Sequence, residues 1–89
     1  MAVRLAVRLV KFKRHLQLIS HSIQENKNGG NENLNMVYET RERNMFRKTV
    51  RPIQLLRYDT FLEAFDYQRN EPITLNIMRM VSCEQDLSF

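Results

Sequence analysis

The N-terminal stretch AVRLAVRLVKFKRHLQLISHSIQ, residues 2–24, decides the fold, because it fits two kinds of secondary structure. Its apolar stripe alternates steps of four and three residues along Leu5, Leu9, Phe12, Leu16, Ile19 and Ile23. At about 100° per residue these side chains share one face, as in an amphipathic helix. The rival pattern is a strand-like alternation of Val3, Leu5, Val7 and Leu9. That alternation breaks at Val10 whereas the stripe continues to Ile23, so the sequence predicts a basic amphipathic helix over residues 2–24.

Beyond this helix, the sequence predicts a loop, two further helices and a short strand. The loop covers residues 25–33 (ENKNGGNEN), which contain no apolar side chain and centre on Gly29-Gly30. Residues 34–50 and 53–69 are predicted as helices, because apolar residues recur three and four positions apart and Pro52 suits a helix start. Residues 72–89 are predicted as a short strand and a tail, since Ile73, Leu75 and Ile77 alternate with polar residues.

The predicted fold class is mostly α. With 89 residues, the chain is long enough for one domain, which we expect to span residues 1–89. The first two helices would pair as an N-terminal α-hairpin within this small helical domain. The alternative is an α+β fold with N-terminal strands, in which residues 2–48 form a β-hairpin that turns at Asn28–Asn31.

Positive charge is concentrated in the first half of the chain. The net charge is +4, and residues 1–24 carry five basic residues and no acidic one. The predicted nucleic-acid contacts are Arg4, Arg8, Lys11 and Arg14 in the first basic cluster and Arg43, Arg47 and Arg51 in the second. On a helix, the last three would share a face. Because Arg and Lys bind phosphates by displacing counterions, the sequence predicts a non-enzymatic protein that contacts nucleic-acid backbone, with RNA as the favoured ligand.

Few residues offer catalytic chemistry. His15 and His21 stand six positions apart on the predicted helix, so they would point away from each other, and Cys83 does not complete a zinc-site spacing. The acidic neighbours of Cys83 disfavour a thiolate. The nearest approach to an acid–base cluster is Asp59, Glu63 and Asp66, which we expect on the solvated face of the third helix. We therefore expect no enzyme, no catalytic residue, no metal site and no cofactor.

The alternative function is a protein-interaction or accessory subunit that docks through the amphipathic N-terminal helix. This helix is Arg-rich, free of acidic residues and amphipathic, which is also typical of a mitochondrial targeting segment. The expected partners are nucleic acid or an acidic protein surface, with a homodimer through the helix as a further expectation. A single cysteine and the lack of a long apolar run predict an intracellular protein without a transmembrane segment. The expected compartment is cytoplasm or nucleus, with the mitochondrion as an alternative.

Overall fold

An N-terminal helix followed by five antiparallel strands makes up the described part of the chain. The computed structural model describes residues 2–86 and, within the helix, the side chains of Val7 and of all residues from Leu9 onward. The elements are α1 (Ala2–Lys27), β1 (Leu34–Glu39), β2 (Met45–Leu56), β3 (Phe61–Asp66), β4 (Glu71–Asn76) and β5 (Met80–Gln85), with a short 3₁₀ helix at Ile77–Arg79. The strand order is β4-β3-β2-β1-β5, and each neighbouring pair is antiparallel.

Helix α1 confirms the helix predicted over residues 2–24 and extends it to Lys27. The C-terminal half of its apolar stripe packs on the sheet, because Ile19 and Ile23 are buried in the core. The helix ends at Lys27, and the turn that follows contains Gly29, whose φ of 93° suits a residue without a side chain. The next amide, that of Gly30, then bonds to the carbonyl of Glu25 at 2.9 Å, which completes the helix end.

The mostly α prediction is wrong, because the fold is α+β. Residues 34–50, predicted as a helix, hold β1 and the first half of β2, and residues 53–69 hold the end of β2 and all of β3. The residues Arg57, Tyr58 and Asp59 have φ angles of 49°, 55° and 64°, so no right-handed helix can run through them. The described residues therefore contain neither the predicted α-hairpin nor the alternative hairpin at Asn28–Asn31.

The C-terminal part of the described chain is more ordered than predicted. Where the sequence predicts one short strand and a tail, the structure has β4, the 3₁₀ helix and β5. Strand β5 crosses to pair with β1, and this pairing is irregular between Val37 and Tyr38. The crossing leaves β4 and β5 at opposite ends of the strand order, joined only by the 3₁₀ helix.

The core lies between α1 and one face of the sheet. Its buried apolar residues are Ile19, Ile23, Leu34, Met36, Val50, Leu62, Ala64, Leu75, Ile77 and Met80. Two long-range hydrogen bonds then fasten the 3₁₀ helix. The amide of Ile77 donates to the carbonyl of Thr60 at 3.0 Å, and the amide of Asn76 donates to the hydroxyl of Tyr38 at 3.1 Å. These bonds hold the segment that carries Arg79 against the β2–β3 turn and against Tyr38 of β1.

One ion pair lies inside the fold. The ammonium of Lys48 donates a hydrogen bond to the carboxylate of Asp66, and the side chains are 13% and 0% exposed. The other carboxylate oxygen of Asp66 accepts the amides of Gln68 at 2.9 Å and Arg69 at 3.4 Å. The hydrogen bond from Lys48 lowers the pKa of Asp66, and it outweighs the opposing effect of burial. The pair links β2 to the turn after β3.

Candidate anion-binding site

Two adjoining depressions meet at Asn76 and Arg79, beside the 3₁₀ helix. The first has a volume of about 260 Å³, and Arg41 and Phe61 also line it. The second has a volume of about 400 Å³ and extends to Lys11 of α1. We call these two depressions together the Arg79 cleft. The fold thus brings together side chains from α1, the β1–β2 turn, β3 and the 3₁₀ helix, which are far apart in the sequence.

The Arg79 cleft has an excess of positive charge. Lys11, Arg41 and Arg79 line it together with a single acidic residue, Glu39. The ion pairs among the described residues join Lys48 to Asp66, and Arg69 to Asp66 and Glu71. None of these pairs includes a cation of the cleft, so its positive charge is available to a ligand. A concave surface lined mainly by one sign of charge also concentrates the field on an approaching ion.

Hydrogen bonds within the fold position the residues of the cleft. The side-chain oxygen of Asn76 accepts the amide of Met78 at 3.0 Å and so caps the 3₁₀ helix one turn before Arg79. The ring of Tyr38, whose hydroxyl receives the Asn76 amide, lies 5.3 Å from the ring of Phe46. The floor of the cleft is therefore held by contacts that reach from β4 to β1 and β2.

The turn between β1 and β2 positions Arg41. Its first residue, Thr40, accepts the amide of Arg43 at 2.9 Å through its carbonyl and the amide of Asn44 at 3.1 Å through its hydroxyl. The amide of Thr40 donates to the carbonyl of Asn44 at 2.9 Å, which closes the turn. Arg43 takes a left-handed conformation, with a φ of 64°. These bonds keep Arg41 at the rim, close to Thr74 and Asn76 across the cleft.

A second groove runs between α1 and β5, and we call it the α1–β5 groove. One wall is a single face of α1 formed by Lys11, Arg14, His15 and Leu18, and the other is formed by Val81, Ser82, Cys83 and Glu84. The groove has a volume of about 350 Å³. Because Lys11 lines both this groove and the Arg79 cleft, the two surfaces are continuous.

Two of the side chains that line this groove, His15 and Cys83, are shifted toward their uncharged forms by burial. Burial, followed by the nearby charge of Lys11, lowers the pKa of His15 from its usual 6.5. Burial and, to a smaller extent, Glu84 raise the pKa of Cys83 to about 11. A thiol with such a pKa carries almost no thiolate, which is the nucleophilic form. Residues 2–86 contain no group of three His, Cys, Asp or Glu side chains that could hold a metal ion.

The structure does not bring the predicted nucleic-acid contacts together. Lys11 and Arg14 line the α1–β5 groove, and Arg43 lies in the β1–β2 turn. Arg4 and Arg8 belong to α1, but their side chains are outside the described part of the structure. The remaining two, Arg47 and Arg51, are on β2. The seven residues are therefore divided among a helix, a turn and a strand.

Arg47 and Arg51 do share a face, although it is a face of a strand and not of a helix. Alternate residues of β2 point to opposite sides of the sheet. Val50 belongs to the core that α1 covers, so Arg47 and Arg51 lie on the opposite side. Arg51 is also engaged in the fold, because its guanidinium donates to the side-chain oxygen of Asn31 and to the carbonyl of Gly30 at 3.2 Å. The described side chains of the two predicted clusters thus do not border one groove.

The sequence prediction also missed residues of the site. Arg41 and Arg79 were not among the predicted contacts, because neither belongs to a regular basic spacing. A usable signal does precede Arg79: Asn76 follows the alternating segment Ile73–Leu75 and is a residue type that favours helix N-caps. The three carboxylates expected on one helix face are separated, since Asp66 is buried, Asp59 is exposed in a turn, and Glu63 accepts a hydrogen bond from Gln54 at 3.1 Å.

Among the described residues, no helix is both long enough and apolar enough to cross a membrane. Neither the known protein-family models nor the curated proteins include a match to this chain. Among solved structures, the chain is similar to part of the proteasome accessory factor B/C (PafBC) of Arthrobacter aurescens, with a TM-score of 0.71 and 20% sequence identity. The similarity covers 86% of this chain but only 12% of that protein, and at this identity it establishes the shared fold alone.

Proposed function

We propose that this chain is a non-enzymatic binding protein that contacts the phosphate backbone of RNA through the Arg79 cleft. The observation that carries the proposal is that Lys11, Arg41 and Arg79 line two adjoining depressions, which share Asn76 and Arg79, without ion-pair partners among the described residues. Phosphate oxygens accept hydrogen bonds from Arg and Lys, and neutralising them releases counterions, which supplies most of the affinity.

Two further features of the cleft support an RNA ligand. Thr40, Thr74 and Asn76 line it beside the cations and offer the hydroxyl and amide donors that often contact phosphate and sugar. Phe61 also lines the cleft, and the guanidinium carbon of Arg57 lies 5.2 Å from the centre of its ring. An aromatic ring next to Arg side chains is a common platform for unstacked RNA bases.

The non-enzymatic part of the proposal is supported by the state of the residues that could carry chemistry. The pKa of Cys83, raised to about 11, leaves it as a thiol at neutral pH. His15 is 8% exposed, and Asp66 is buried and bonded to Lys48. None of the three pairs with another to form a nucleophile with its base, which is the arrangement that covalent catalysis requires.

The proposal is tested by fluorescence anisotropy of a labelled duplex RNA and an unrelated single strand at about 50 and 200 mM salt, over which phosphate-driven binding weakens steeply. The test variant is Arg41→Ala with Arg79→Ala. The matched control is Lys27→Ala with Arg47→Ala, which removes the same charge from exposed residues outside the cleft. We expect the test variant to bind at least about tenfold more weakly and to lose about two units of salt slope, one per phosphate contact.

The control separates a specific cleft from general basicity. If it loses as much affinity as the test variant, RNA is attracted by net charge and the cleft has no special role. If the wild-type protein binds neither RNA at low salt, the proposed function is wrong. Circular dichroism of both variants verifies that each retains the α+β fold.

A role in protein interaction, as an accessory subunit, is the second candidate function. It is favoured by three apolar side chains of α1 that are about half exposed: Val7 at 49%, Leu9 at 48% and Val10 at 51%. Exposed apolar side chains on one element are typical of surfaces that bind other proteins. The fold is also shared with part of a protein named as a proteasome accessory factor. The compartment and a homodimer through α1 stay predictions.

A further inference from the structure

We propose that the α1–β5 groove, extended by the exposed N-terminal face of α1, docks an acidic amphipathic helix of a partner protein. This inference rests on the second candidate function and does not require RNA binding in the Arg79 cleft. Its geometric basis is a strip of apolar side chains that are exposed at Val7, Val10 and Val81 and partly buried against the edge of the core at Leu18. Val7, Val10 and Leu18 form this strip on α1, and Val81 faces it from β5.

The strip is a second apolar face of α1, distinct from the one that packs on the sheet. At about 100° per residue, Val7, Val10 and Leu18 lie within about 80° of one another, on the other side of the helix from the stripe that contains Ile19 and Ile23. Arg14 falls within the same sector, between Val10 and Leu18, and Lys11 lies about 20° beyond Leu18. From Val7 to Leu18 the strip is about 17 Å long at a rise of about 1.5 Å per residue. This length matches the three turns over which a docked helix places its i, i+3, i+4 and i+7 anchors.

The charges beside the strip select an acidic partner. Lys11 and Arg14 lie on the same wall of the groove as Leu18, and neither has an ion-pair partner among the described residues. Glu84 is the only acidic residue that lines the groove. Complementary potentials favour a helix that carries Asp or Glu on both sides of an apolar stripe.

The same charges disfavour two other occupants. A second copy of α1 would bring another helix with five basic and no acidic residues in its first 24 positions, and like charges in an interface are costly. A nucleic-acid backbone would contact the cations but would leave the apolar side chains of Leu18 and Val81 exposed. An acidic amphipathic helix would contact both the apolar side chains of the strip and the cations Lys11 and Arg14 that lie beside and among them.

The test uses fluorescein-labelled synthetic helices and the full chain. One peptide has Leu at heptad positions a and d and Glu at the flanking positions, and the other has Lys in place of Glu. The test variant is Val81→Asp, and the matched control is Ile53→Asp, because both side chains are 38% exposed but Ile53 lies on β2 outside the groove. Arg14→Glu tests the contribution of positive charge within the strip.

We expect the acidic peptide to bind the wild-type chain and the Ile53→Asp variant equally, and Val81→Asp and Arg14→Glu to weaken it at least tenfold. The Lys peptide should bind at least tenfold more weakly than the Glu peptide. Circular dichroism verifies that the variants are folded. The variant Arg41→Ala with Arg79→Ala should retain full affinity for the acidic peptide, so a failure of RNA binding would leave this proposal intact.

Several results would overturn the proposal. They are equal binding of the two peptides, no binding of the acidic peptide, or binding that the Val81→Asp variant retains. Sedimentation equilibrium addresses the competing occupant: a wild-type dimer that Val81→Asp dissociates would assign the groove to a second copy of the chain. Displacement of the acidic peptide by duplex RNA in the Arg41→Ala with Arg79→Ala variant would assign it to nucleic acid.

Discussion

The same types of charged residue serve opposite purposes in two regions of this protein. Inside the fold, Lys48 is 13% exposed and is bonded to Asp66, whose side chain is fully buried. At the surface, the cations of the Arg79 cleft have no ion-pair partner among the described residues. In the buried pair the two opposite charges neutralise each other, whereas the unpaired cations of the cleft are able to bind a ligand. A basic residue is therefore informative about function only once its partners are known.

Mutation of the buried Lys48–Asp66 pair should cause the largest change in the free energy of unfolding. Lys48→Met should destabilise the protein by about 3 kcal/mol, because the carboxylate of Asp66 stays buried with Arg69, at 4.0 Å, as its remaining cationic partner among the described residues. The exposed Lys13→Met is the matched control and should change the free energy of unfolding by less than about 0.5 kcal/mol. Urea denaturation measures both. Equal midpoints for the two variants would show that the interior pair is not a determinant of stability.

Mutation of the Arg79 cleft should weaken RNA binding and leave the stability of the protein nearly unchanged. Arg79→Ala should weaken binding to duplex RNA by up to about tenfold and reduce the salt slope by about one unit, because one phosphate contact is lost. Its free energy of unfolding should stay within about 0.5 kcal/mol of the wild-type value, since Arg79 has no ion pair among the described residues. Anisotropy titrations and urea denaturation of the same preparation test the comparison. An Arg79→Ala variant that is less stable but keeps its affinity for duplex RNA would show that Arg79 stabilises the fold and does not bind the ligand.

Arg51 lies between the two extremes. It was predicted as a nucleic-acid contact, but it donates hydrogen bonds to Asn31 and Gly30 in the loop after α1. Arg51→Ala should therefore cost about 1 kcal/mol of unfolding free energy. The exposed Arg47→Ala, on the same face of β2, is the control and should be neutral. If Arg51→Ala instead leaves stability unchanged and lowers the RNA salt slope, Arg51 belongs with the ligand-binding charges.

The smallest effect is expected on the pH dependence of stability. Burial lowers the pKa of His15 in the folded protein, so the unfolded chain takes up a proton first as the pH falls below 6.5. Because the unfolded state then binds more protons, stability decreases from about pH 7.5 to pH 5. His15→Gln should flatten this decrease, whereas His21→Gln, at an exposed position of the same helix, should retain it. Thermal unfolding across this range is the measurement, and an undiminished slope in His15→Gln would contradict it.

The helix and β4 were predictable and the other strands were not, for a physical reason visible in particular residues. The stripe from Leu5 to Ile23 repeats over about five turns, so its helical period outlasts the strand-like alternation that breaks at Val10. Strand β1 has only six residues, and its buried Leu34 and Met36 give too short an alternation to compete with helical spacings. The strands of this sheet satisfy their backbone hydrogen bonds with segments elsewhere in the chain, which a local pattern does not record.

The sequence by itself determined the long helix, the break after it, and the concentration of positive charge in the first half of the chain. These features depend on local spacing and composition, which need no distant partner. Tertiary structure alone decided which charges meet. The pairing of β1 with β5, together with the bond between Asn76 and Tyr38, places Arg79 beside Arg41 and Lys11. The register of the strands also directs Lys48 toward Asp66, because register assigns each side chain to one face of the sheet.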